Sequence, residues 1–113
     1  MKEITNRSAL FVRPKDPFKK WAEKYNAISA EGLSQRLKEN HVYLIDWTYD
    51  ENIDDVIMTY YLRIFDYELL SWNSFTNEWP QNRSYELFRE WFEVELCCEL
   101  FDLETERIKS EKL

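Results

Sequence analysis

Leu96-Cys97-Cys98-Glu99-Leu100-Phe101-Asp102-Leu103 decides the fold class of this chain. Read as the continuation of the helix before it, as one helix over 84–107, it makes the protein mostly α. Read as a strand, it completes a small sheet and makes the protein α+β. Periodicity alone does not separate so short an apolar run into helix or strand. Tyr85, Phe88, Phe92 and Leu96 continue helically. A sheet of workable width nevertheless needs a third strand. The favoured division is a helix over 84–95 followed by a strand over 97–103.

Just upstream, the fourteen residues from Trp79 to Phe92 include five aromatics. Pro80, a polar turn and Ser84 lead straight into an amphipathic run, the pattern of a capped helix start. That aromatic density marks an organising core element. Glu86, Glu90 and Glu93 fall on its outer side.

Working back, Ile53, Ile57, Tyr60/Tyr61, Ile64, Phe65 and Leu69 keep a helical period over 53–71. Asn52 is a good N-cap, and Asp54 and Asp55 complement the positive end of the helix dipole. His41 to Trp47 is the best strand in the chain. Its apolar residues fall on both alternations, which predicts a central strand over 42–47, covered on both faces or on one and partly on the other. Ser29 caps a helix over 30–39, with an Ile28–Leu33 staple and Asn40 at its end. Asp16 as N-cap and Pro17 at the first helical position start another, over 17–26, whose inner face is Phe18, Trp21, Ala22 and Tyr25. Ser8 to Arg13 reads as a strand stopped by Pro14.

The fold expected is therefore α+β. A three-stranded sheet (8–13, 42–47, 97–103) is packed by four helices in the order β-α-α-β-α-α-β. One domain covers 1–113, with its core at about 6–103, a loose N-terminus at 1–5 and a charged tail at 104–113.

Composition narrows the function classes. Apolar residues make up 44% and aromatics 17% of the 113 residues, enough for a compact core. The only glycine is Gly32, which excludes glycine-rich phosphate and dinucleotide loops. Met1-Lys2-Glu3 opens a polar N-terminus without the apolar stretch of a secretory signal, and no apolar run approaches membrane-spanning length. Cys97 and Cys98 are adjacent, too close for an ordinary structural disulfide, and read as reduced core thiols of a cytoplasmic protein. Together with the single His41 they fit no familiar zinc pattern, so no metal and no cofactor is expected. His41 at a strand start reads as a surface or satisfied histidine.

The net charge of −7 is unevenly spread: +3 over 1–49, −12 over 50–106 and +2 over the tail. The acidic half argues against direct nucleic-acid binding. An interaction module follows as the leading expectation. Asp54, Asp55, Glu86, Glu90 and Glu93 would form an acidic helical face for a protein partner with a basic surface. One alternative is a small-anion binder or enzyme built on Arg7, Arg13, Lys15, Trp79 and Arg83, because Arg13-Pro14-Lys15 joins a strand end to a helix N-terminus. Against it, Arg7 or Arg83 would simply pair with the acidic half while Trp79 plugs the core edge. Nucleic-acid mimicry by the acidic half is the other alternative.

Two segments carry a resemblance. One runs from Asn6-Arg7-Ser8-Ala9 through Arg13-Pro14-Lys15-Asp16-Pro17-Phe18 to Trp21. The other runs from Trp79-Pro80 through Arg83-Ser84 to Phe88, Trp91 and Phe92. In these the chain is similar to a family of small uncharacterised bacterial proteins, over about residues 6–103. The resemblance implies a compact α+β domain with a β-rich stretch after the last helix. It brings no activity and no catalytic residues.

Overall fold

The central strand is supplied by the early apolar run. In the computed structural model, which describes residues 1–25, 30–37 and 39–113, ten elements follow one another. They are β1 (Lys2–Ile4), β2 (Arg7–Pro14), α1 (Asp16–Glu23), α2 (Ala30–Leu37), β3 (His41–Asp46), α3 (Ile53–Leu70), a 3-10 turn (Thr76–Glu78), α4 (Tyr85–Trp91), β4 (Phe92–Cys97) and β5 (Leu100–Asp102). The fold is α+β. Its larger sheet has the order β3-β2-β4, all antiparallel, and β1 pairs with β5 in a second, two-stranded sheet.

Alternation along the strands explains which face is buried. Leu10 and Val12 of β2, Ile45 of β3 and Phe92 and Val94 of β4 turn to one side. There they meet Phe18, Trp21 and Ala22 of α1, Ile57, Ile64, Phe65 and Leu69 of α3, and Phe88 of α4. Phe65 is the hub, with the rings of Phe88, Trp91 and Phe92 at 5.6, 5.7 and 5.7 Å. Buried Ser8 fastens the sheet's far end. Its hydroxyl donates to the Cys98 carbonyl oxygen at 3.1 Å and accepts from the Thr48 N–H at 3.0 Å.

Helix starts follow the local chemistry. Asn52 accepts from the Asp54 N–H and Ser84 from the Leu87 N–H, both at 3.1 Å, each satisfying a donor that the first turn leaves unpaired. α1 begins one residue earlier than expected. Lys15 occupies its cap position without a side-chain hydrogen bond, and Asp16 lies inside the first turn beside Pro17. The Ser29 cap and the Ile28–Leu33 staple lie outside what is described.

Four expectations need correction. The helix expected over 84–95 stops at Trp91 and gives way to β4 at Phe92–Cys97, and within the strand expected over 97–103 only Leu100–Asp102 forms a strand of its own, β5. From Phe92 the pattern changes to period two: Phe92 and Val94 point inward, Glu93 and Glu95 outward. Residues 1–5 are not a loose end, because Lys2–Ile4 pairs with Leu100–Asp102. The strand at His41–Asp46 is not central but an edge, with Val42 and Leu44 52% and 56% exposed. The order is thus β-β-α-α-β-α-α-β-β. Residues 104–113 form no regular structure and are exposed. Among the described residues no helix is long and apolar enough to cross a membrane.

Candidate functional site

The open edge of β3 runs beside α3. His41 and Tyr43 reach Glu68 near the C-terminal end of α3, while Asp46 shares a cavity with Tyr60 and Arg63 further up the helix. Strand and helix therefore lie antiparallel, with a seam between them.

Two cavities follow that seam, with Tyr67 as a wall common to both. The larger is about 430 Å³, and four consecutive strand residues, Tyr43 to Asp46, line it. Consecutive residues point to opposite faces, so the cavity lies along the strand's edge rather than on one face. Across from them stand Tyr60, Arg63, Ile64 and Tyr67, one helical face of α3, and Arg7 closes the end. The smaller cavity, about 160 Å³, lies at the His41–Glu68 end and is walled by Arg36 and Trp72. Arg36 stacks on the Trp72 ring at 3.9 Å and donates to the Ser71 carbonyl oxygen at 2.6 Å.

Glu68 holds the seam together. It is buried, with 4% of its surface exposed. One oxygen, Oε2, accepts from the Tyr43 hydroxyl at 2.9 Å and lies 2.6 Å from His41 Nδ1. An ionised carboxylate only accepts, so in the tautomer that makes this contact Nδ1–H is the second donor. Burial raises the Tyr43 phenol above its ordinary value, and the negative charge of Glu68 and the hydrogen bond to it raise it further.

The cation group read from sequence is dispersed. Arg7 and Arg13 lie six residues apart on β2, about 20 Å along an extended strand. Arg13 pairs with Glu95 of β4 at 3.3 Å, and Lys15 donates to the Arg89 carbonyl oxygen at 2.9 Å. Trp79 and Arg83 do meet, with the guanidinium 5.5 Å from the ring centre. Arg83 is also bound to Asp66 at 2.9 Å, and Trp79 is buried with its indole N–H on the Asn73 carbonyl oxygen at 2.7 Å. Neither cavity has Arg13, Lys15 or Arg83 in its lining. Only Arg7 reaches the seam.

The acidic residues divide as well. Tyr85 donates to Asp54, which draws the N-terminal ends of α3 and α4 together and gathers exposed Asp54, Asp55 and Glu86, with Glu90 one turn on. Glu93 belongs to β4 and faces away from the core, opposite Arg13. Burial, then the bond to Asp54, pushes the Tyr85 phenol up to about 12. Because that value exceeds the ordinary 10, the contact stabilises the fold fully below pH 10 and is lost as the pH climbs through 12. Alkaline unfolding of the wild type is expected to show this loss and Tyr85→Phe to lack it. An identical alkaline slope in both would contradict the contact.

Sequence reasoning missed Arg63, Tyr60 and Tyr67. Their spacing of three and four residues was the available signal, a polar-aromatic stripe beside the apolar one on the same helix. No family model, no curated protein and no solved structure matches the chain.

Proposed function

We propose that the protein is an interaction module that receives an extended partner segment along the open edge of β3. One contrast supports this most. β4, the opposite edge, directs Glu95 outward across from Phe11 of β2, whereas β3 has Val42 across from the same residue, with Leu44 exposed beyond it. Natural edge strands are normally blunted by charge, proline or bulges against such pairing. Among the described residues no main-chain hydrogen bond from another element reaches that edge. Strand addition would use its unpaired N–H and C=O groups for affinity and the cavities of the seam for side chains. The six residues of β3 offer about 20 Å of edge, and α3 from Tyr60 to Glu68 lines about 12 Å of it.

The gathered acids at the starts of α3 and α4 favour a second reading, a partner with a basic surface docked on Asp54, Asp55, Glu86 and Glu90. One experiment separates the two. Peptides are selected from a random display library on the immobilised protein, and each binder is remade with single backbone amides N-methylated in turn. Strand addition predicts sensitivity at every second amide, and binding about tenfold weaker or worse for a V42K/L44K variant. Reversing the four acids should leave that binding intact. Sensitivity to acid reversal alone, without the alternation, replaces strand addition with the basic-partner reading.

A further inference from the structure

Arg7 and Arg63 line the larger cavity together, and among the described residues neither has a carboxylate within ion-pair distance. Arg36, Arg89 and Arg107 also lack such a partner, but Arg7 and Arg63 share one cavity. Elsewhere Lys2 pairs with Asp102, Arg13 with Glu95 and Arg83 with Asp66. Arg7 donates one N–H to the Asn6 carbonyl oxygen and is otherwise open to solvent. Arg63, exposed on α3, projects from the opposite wall. Tyr60 and Tyr67 flank it, and the Tyr43 hydroxyl is already committed to Glu68.

A guanidinium fork matches a carboxylate in shape and charge. Asp46 is in the same lining, opposite Arg7 in the β2–β3 register, so the cavity has one net positive charge. One carboxylate neutralises that single net charge, whereas a phosphate dianion would leave the cavity net negative. Asp46 is also left to accept an N–H from whatever enters. The best match is a ligand bearing one carboxylate with amide N–H groups close by.

We infer that the Arg7–Arg63 end of the seam is a carboxylate subsite, and that the segment added to β3 is anchored there by an acidic side chain or by its own C-terminal carboxylate. The anchoring rests on the strand-addition reading; the subsite itself does not.

Three small probes test it by NMR on the intact protein, observed at the arginine Nε–H signals. N-acetyl-glutamate N-methylamide offers a side-chain carboxylate, N-acetylalanine a terminal one, and N-acetyl-glutamine N-methylamide neither. Both charged probes should move the Arg63 and Arg7 signals, the neutral probe should not, and the engaged Arg83 should stay unmoved. The tighter of the two charged probes identifies the source of the carboxylate. Arg63→Gln, at an exposed position without partners, should weaken that probe about tenfold while preserving the spectrum of the fold. Failure of both charged probes to move Arg63, an equal response to the neutral probe, or tighter binding of inorganic phosphate each overturns the inference. If the amide alternation holds but carboxylates are ignored, only the subsite fails. If carboxylates bind but no alternation appears, only strand addition fails.

Discussion

Phe65→Ala is expected to cost about 3–5 kcal/mol of folding free energy, the range for truncating a fully buried aromatic side chain. Phe65 is fully buried and touches three aromatic rings that come from α4 and β4. Truncation removes the ring's transfer free energy and leaves a hole that three rigid neighbours cannot close. Domains of this size are stable by only about 5–15 kcal/mol, so the variant loses between about a fifth and all of that margin. The midpoint of urea unfolding should fall steeply with an unchanged slope, and the melting temperature by about 10–20 °C. A loss below about 1.5 kcal/mol would show that α4 and β4 do not close around Phe65 as described.

Glu68→Ala should cost about 3 kcal/mol for a different reason. Its carboxylate is the common acceptor for Tyr43 and His41, and it alone ties α3 to β3 through side-chain hydrogen bonds among the described residues. Its removal leaves the half-buried Tyr43 hydroxyl and the His41 ring without their shared acceptor. His41→Ala, which strips one donor from a buried carboxylate, should cost about 2 kcal/mol on its own. The costs belong to breaking the cluster, not to lacking it: a triple replacement H41V/Y43F/E68M, apolar throughout, should recover most of the loss. Chemical denaturation of the three variants checks this. A triple variant no more stable than Glu68→Ala would show that the three groups do not act as one cluster. On the strand-addition proposal the cluster also matters for binding, since it ties β3 to α3 at the His41 end of the seam. Glu68→Ala should therefore weaken peptide capture even at temperatures where the variant stays folded.

What the sequence revealed, and what it hid, divides by the range of the interaction. Asn52 and Ser84 were legible as caps because a cap is written within three residues. The inner faces of α1 and α3 were legible because burial on one face of a helix leaves a period. The start of β4 was obscured because Phe88, Phe92 and Leu96 also satisfy a helical step of four, and only pairing with β2 decides between the two periods. β1 was invisible, since three residues hold no pattern and its partner lies at 100–102. The reading of β3 as central failed for an instructive reason. Apolar residues on both alternations record that two faces avoid charge, but not whether this chain covers both. Within the site, Arg7 was singled out and Arg63 was not, because 56 positions of chain separate residues that only the β2–β3–α3 packing brings to one cavity.

The place of β2 at the middle of the sheet has a consequence for how the chain is made. β2 occupies Arg7–Pro14, yet its second neighbour begins only at Phe92. On a ribosome adding about 5–20 residues per second, the interval between them is about 4–16 s. Throughout it the strand with the most buried residues has at best one neighbour, the unblunted β3. The nascent domain thus presents two sticky edges before it presents one, and its need for chaperone cover should end when β4 emerges.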